Sequence, residues 1–189
     1  MTLVIGQLDA DGTPHLLGDR AVKINASWTQ SLAYPKVVRP LPALLVGAAG
    51  STAWLEALHA WRPPGYLRDL SGLALCRAAA LELAHAAPKG AICQAITATV
   101  NVLYPFSVLE DRSVASSPSS DGIAAVGSGA LPGLAALRVL ARLQTPEIRL
   151  LAAARVVGEL LPGDVAGPYD LLSVEANASS TSASGSHDE

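Results

Sequence analysis

Aromatic residues are scarce in this chain, 4% of 189 residues, with one phenylalanine, three tryptophans and four tyrosines. A core must therefore be built from Ala, Val, Leu and Ile, within a hydrophobic fraction of 50%. Cysteine is limited to Cys76 and Cys93, which lack the spacing of a metal site. They are expected to be buried thiols, not a disulfide, and neither a metal nor a cofactor is expected. Charge is sparse, 15% of residues with a formal net of −3, and no basic stripe offers itself to nucleic acid. No apolar run reaches the roughly 20 residues of a membrane span. The opening residues are too short and, at Asp9 to Asp11, too polar for a signal peptide. The expectation is a soluble cytoplasmic protein without a membrane partner, of a length that suits one domain.

Patterning along the chain predicts strands and helices in groups. Residues 3–8 read as a strand, Asp11-Gly12 is a hairpin dipeptide, and residues 15–18 return to end at Asp19-Arg20. Residues 21–33 read as polar and irregular, with Trp28 and Tyr34 as anchors. Prolines confine residues 36–42 to an edge strand or a turn. Residues 43–49 are an unbroken apolar run, as in a strand covered on both faces. Ser51 is a candidate cap for a helix through Trp54, Leu55 and Leu58. A longer helix is predicted over 67–87, a strand over 92–103, and a short strand pairing back over 104–109. A Ser-rich loop with a poorly formed strand fills 110–120.

Residues 123–126 read as a short strand entering Gly127-Ser128-Gly129, followed by helices to about 143 and from Thr145-Pro146 to about 161. Residues 170–174 are the last strand, and the Ser-rich tail at 176–189 is expected to be disordered beyond a single domain at 1–175. Strands, two helices, strands and two more helices do not alternate as in a doubly wound fold. The order suits an α+β, four-layer αββα sandwich of two mostly antiparallel sheets with a helix pair outside each.

Thr2 stands directly behind Met1, which a small second residue allows to be removed. Thr2 would then carry a free hydroxyl and a free α-amine. A Thr hydroxyl needs an adjacent base to act as a nucleophile, and an α-amine, with an ordinary pKa of about 7.7–8.0, suits that task near neutrality.

Four further spots join Thr2: Gly18-Asp19-Arg20, Lys36, the stretch Gly47-Ala48-Ala49-Gly50-Ser51, and Val126-Gly127-Ser128-Gly129. Singly, each has an ordinary reading: a strand-end turn, a solvated lysine, a helix cap, a glycine-rich turn. In this order the set resembles proteasome β subunits and the bacterial ATP-dependent threonine peptidase, both N-terminal-nucleophile hydrolases. The resemblance runs from Thr2 to about Val174. It is most specific where Gly50-Ser51 opens a helix fourteen positions after Lys36, and where residues 123–129 precede an Ala- and Leu-rich helix. It departs in a longer first hairpin, in Leu3 where a second Thr is frequent, in Gly167 where proteasome subunits carry Ser, and across 104–120.

The resemblance implies roles. Thr2 is the nucleophile, Lys36 lowers the pKa of its amine, and Asp19 pairs with and orients that lysine. The N–H of Gly50 is the oxyanion donor, and Ser128 and Asp164 hydrogen-bond around the amine. It also implies a substrate pocket lined by Val22, Ala48 and Thr52, all uncharged, and hence a preference for apolar residues before the cut. The implied function is a threonine endopeptidase inside a self-compartmentalising ring of copies of this chain. An ATP-dependent unfoldase would be its partner, and unfolded proteins or peptides its substrates. The alternatives are a catalytically silent ring protein and a small-molecule amidohydrolase of the same superfamily.

Overall fold

The computed structural model describes residues 2–25, 28–32, 34–90, 93–142 and 145–174, with backbone alone for 22–25 and 28–31. The tail at 176–189 and its expected disorder lie outside the described residues.

β1 (Val4–Leu8) and β2 (Pro14–Asp19) form the first hairpin, closed by Asp9, whose Oδ1 accepts from Thr13 N at 2.7 Å. β3 (Ala21–Asn25) and β4 (Trp28–Ser31) pair as a two-stranded ribbon. The irregular segment expected at 21–33 is therefore a ribbon. It rests on backbone pairing, and Leu32 N donates to Arg20 O at 2.8 Å to close it. Such pairing needs no apolar alternation, so hydropathy does not reveal it. The side chain of Trp28, expected as an anchor, lies outside the described residues, whereas Tyr34 packs against the core and stands 4.8 Å from the His59 ring.

β5 (Val37–Leu41) is an edge strand, as Pro40 requires, and β6 (Leu44–Ala49) is buried at every position. α1 (Thr52–Ala60) starts at Ser51, whose Oγ accepts from Trp54 N at 3.2 Å. The helix expected over 67–87 is interrupted. A 3₁₀ turn spans Gly65–Asp69, Leu70 and Ser71 are extended, and α2 runs Gly72–Ala86. Leu67 and Leu75 both reach the same core, so the apolar spacing continues across the break.

The strand expected over 92–103 ends earlier. β7 (Cys93–Thr99) turns at Val100-Asn101 into β8 (Val102–Val108), with Asn101 at φ +62. Asparagine tolerates this left-handed geometry, which the run of β-branched residues conceals. β9 (Val114–Ser116) is a short edge strand, and β10 (Ile123–Val126) leads into α3 (Ala130–Val139). α4 (Pro146–Leu160) and β11 (Tyr169–Ser173) are the last described elements.

Every described strand pair is antiparallel. One sheet has the order β10-β1-β2-β11 and the other β5-β6-β7-β8-β9. Between the sheets, Val4, Leu16 and Val126 meet Leu45, Ile96 and Leu103. α1 and α2 cover the five-stranded sheet through Trp54, Leu58, Cys76 and Leu83. α3 and α4 cover the four-stranded sheet through Leu137, Leu150 and Val157 against Leu3, Ile5 and Leu17. The result is the expected four-layer sandwich, with β1 in the interior of its sheet and its leading residues at one end of the inter-sheet space.

Candidate active site

Asp19, the last residue of β2, is wholly buried and gathers four donors. Its Oδ1 accepts from Thr2 Oγ1 at 3.0 Å, Leu3 N at 2.8 Å and Lys36 Nζ at 2.9 Å, and its Oδ2 accepts from Ala21 N at 3.1 Å. A buried carboxylate is costly unless paired and hydrogen-bonded, and here both conditions are met. Lys36, equally buried, precedes β5 and also donates to Ala21 O. Burial pushes the Lys36 ammonium below the ordinary lysine pKa, while the charge of Asp19 and its hydrogen bond act in the opposite sense.

The other flank of Thr2 meets the loop between β10 and α3. Thr2 N–H donates to Ser128 Oγ at 3.1 Å, and Gly129 N–H donates to Thr2 O at 3.3 Å. Gly127 has φ +94, and a Cβ there would stand 2.3 Å from Thr2 O. Only glycine allows this approach. Val165, next to Asp164, packs at the same loop, 3.3 Å from where a Cβ on Gly129 would lie. Asp164 is thus buried in a turn beside the loop, its N–H on Leu161 O.

Gly50 joins β6 to α1 at φ +148, outside the range that other residues adopt readily. Its strand is tied to the lysine segment, since Ala48 N donates to Lys36 O at 2.9 Å. The first turn of α1 places helix N–H groups and the positive end of a dipole at this junction.

Comparison with solved structures turns this geometry into an assignment of fold. Eukaryotic HslV from Trypanosoma brucei superposes with a TM-score of 0.67 at 24% identity, over 90% of this chain and 98% of that chain. Thiobacillus denitrificans BPH in complex with epoxomicin gives 0.64 at 17%, over 93% and 98%. Anbu, an ancestral beta-subunit from Yersinia bercovieri, gives 0.57 at 12%, over 90% and 80%. By sequence, no protein-family model and no curated protein matches the chain.

The fold is that of the proteasome-like N-terminal-nucleophile hydrolases.

Within this proteasome-like fold, Thr2, Asp19, Lys36 and Ser128 form one connected cluster, with Gly50 and Asp164 on the elements that flank it. Of the three residues expected to line a substrate pocket, Ala48 and Thr52 have described side chains. Ala48 is wholly buried among Trp54, Leu55 and the rest of the helix-side core, and Thr52 is exposed on the first turn of α1. Val22 lies in β3, and its side chain is outside the described residues. Ala48 thus lies on the helix-side face of β6, and the rest of the expected pocket wall falls partly outside the described residues.

Two residues given no role in the sequence reading also serve the site. Gln94 Oε1 accepts from Gly127 N at 3.0 Å, tying the loop to the five-stranded sheet. A polar residue flanked by Cys93 and Ala95 in an apolar strand is the signal that marks it. Arg20 clasps Asp170 through two nitrogens, at 2.8 and 2.6 Å, and its N–H donates to Pro168 O, so the segment after Asp164 is fastened to β2. Burial pushes the Cys76 thiol up to about 11 and raises that of Cys93, so neither is a reactive thiolate near neutral pH. Among the described residues no cluster of metal-ligating side chains forms.

Proposed function

We propose that this chain is a threonine peptidase whose nucleophile is Thr2, acting once Met1 has been removed. The observation that carries the reading is convergence on one atom. Asp19 Oδ1 lies 3.0 Å from Thr2 Oγ1 and 2.9 Å from Lys36 Nζ. A hydroxyl and a buried ion pair share one oxygen, and the future amine lies on Ser128 at 3.1 Å.

Removal of Met1 converts Thr2 N into an α-amine, whose pKa the nearby Lys36 charge lowers from about 7.7–8.0. The neutral amine takes the Oγ proton as Oγ adds to the carbonyl carbon of a peptide bond. Gly50 N–H receives the developing oxyanion, a contribution of about 2.7–4 kcal/mol for such donors. The C–N bond then breaks and the proton passes from the amine to the leaving nitrogen. A free amine product departs, and an ester remains on Thr2. Water adds to the ester carbon, giving one proton to the amine. That proton returns to Oγ as the ester bond breaks, releasing a carboxylic acid. The amide and one water are consumed, and no cofactor takes part. Asp19 holds Oγ and Lys36 in register, while Ser128 and Asp164 orient the amine.

The structural likeness to HslV, together with the proteasome-like fold, supports a ring of copies of this chain in the cytoplasm, with an ATP-dependent unfoldase feeding it unfolded protein. Peptide hydrolysis by the purified, assembled protein tests the reading. Thr2→Ala is expected to lower it by on the order of 10³-fold or more, with folding and assembly intact. Retention of activity in that variant would overturn it.

A further inference from the structure

A cleft of about 330 Å³ opens beside the Gly127–Gly129 loop, lined among others by Gln94, Ser107, Ser116, Ser117, Ala125 and Val126. It lies between β10, the edge of one sheet, and β8–β9, the edge of the other. Its volume falls in the range of small-ligand sites, about 300–1,000 Å³. It adjoins the cluster at two points: Val126 precedes Gly127 and pairs with Val4, and Gln94 both bonds Gly127 N–H and pairs with Ala49 beside Gly50.

We propose that this cleft receives the leaving, C-terminal side of a bound peptide. The inference rests on the peptidase reading above and deepens it. Its direction follows from the chemistry. The leaving nitrogen must accept its proton from the Thr2 amine, and Thr2 N lies on Ser128, in the loop that borders the cleft. The oxyanion donor, Gly50, lies on the β6 side, and β2, β3 and Lys36 flank Thr2 away from β10. In the four-stranded sheet β1 separates β2 from β10, and in the other β7 separates β6 from β8. A peptide bond presented to Thr2 between these flanks thus has its acyl half toward β2–β6 and its amine half toward β10–β8.

The lining sets the chemistry of the occupant. Ser107, Ser117 and the Gln94 carboxamide supply its polar lining, whereas Ser116 Oγ is held by Tyr104 OH on the other face of the strand, and no charged side chain lines it. With Gln94 Oε1 committed to Gly127, the amide NH₂ is the group left to donate to a peptide carbonyl. The ligand class is an uncharged, extended peptide segment with small or polar side chains.

Wild-type assembled protein and the variants Ser117→Trp and Ala115→Trp, both at exposed positions of the β9 edge, separate this inference from its parent. Each is measured with an internally quenched peptide that extends beyond the cut, with the same peptide ending in a simple amide leaving group, and for labelling of Thr2 by a peptide epoxyketone, which has nothing on the leaving side. The extension is expected to raise kcat/KM about tenfold in wild type and less than about twofold in either variant, with epoxyketone labelling retained. If extension gives no advantage in wild type, or if both variants keep the full advantage, the cleft assignment is wrong. If wild type neither cleaves nor takes the epoxyketone at Thr2, the peptidase reading itself fails.

Discussion

At the residue scale the site is governed by one buried ion pair. Asp19 and Lys36 are both sealed from solvent, and removing either partner leaves a buried charge uncompensated, at a cost of about 3–5 kcal/mol. Lys36→Met is expected to abolish hydrolysis and lower the melting temperature by several degrees. Combined with Asp19→Asn in the same chain, it should recover most of the stability and none of the activity, because the charge is then gone from both sides. A double variant as unstable as the single one would contradict this. The pH profile follows from the same pair. The Thr2 amine must be neutral to act as base, so the rate rises with pH through the amine pKa, below about 7.7 because of the Lys36 charge. The ammonium of Lys36 must persist, and burial lowers its pKa, so the rate should fall again at a pH below about 10.4, the ordinary lysine value. An alkaline limb above that value would show that Lys36 is not the group being titrated.

At the scale of elements, legibility divided along physical lines. α1 could be read because Ser51 supplies a cap and Trp54, Leu55 and Leu58 supply spacing, and β6 because nothing polar interrupts it. The β3–β4 ribbon could not, because polar and apolar residues are mixed along 21–33 without a continuous apolar run. The break before α2 was hidden because Leu67 and Leu75 bury on either side of it. Thr2, Asp19, Lys36 and Ser128 were legible as a family pattern. Gln94 was not, since its partner is a backbone N–H supplied by a loop 33 positions away. Of the expected pocket residues, Ala48 is the one wholly buried in the helix-side core. Ala48→Phe adds a ring at a wholly buried position of the helix-side core, so it is expected to destabilise the protein by about 1–3 kcal/mol. A variant with unchanged melting temperature and a shifted preference would show a real pocket at that position.

At the scale of the whole molecule, the sandwich places the end of β1, the lysine segment, the β10–α3 loop and the turn at Asp164 around one residue. The outer surface of α3 and α4 leaves Leu131, Val139 and Leu160 at 81%, 80% and 63% exposure, apolar surface of a kind that association covers. Among the described residues no helix is long and apolar enough to cross a membrane. All of this organisation serves the claim that Thr2 becomes an N-terminal nucleophile. Intact-mass and peptide-level mass spectrometry of the purified protein after treatment with a peptide epoxyketone tests that claim most directly. The account predicts a chain lacking Met1 that carries one inhibitor adduct bonded at the amine and hydroxyl of Thr2. A chain that retains Met1 and takes up no adduct at Thr2 would contradict it.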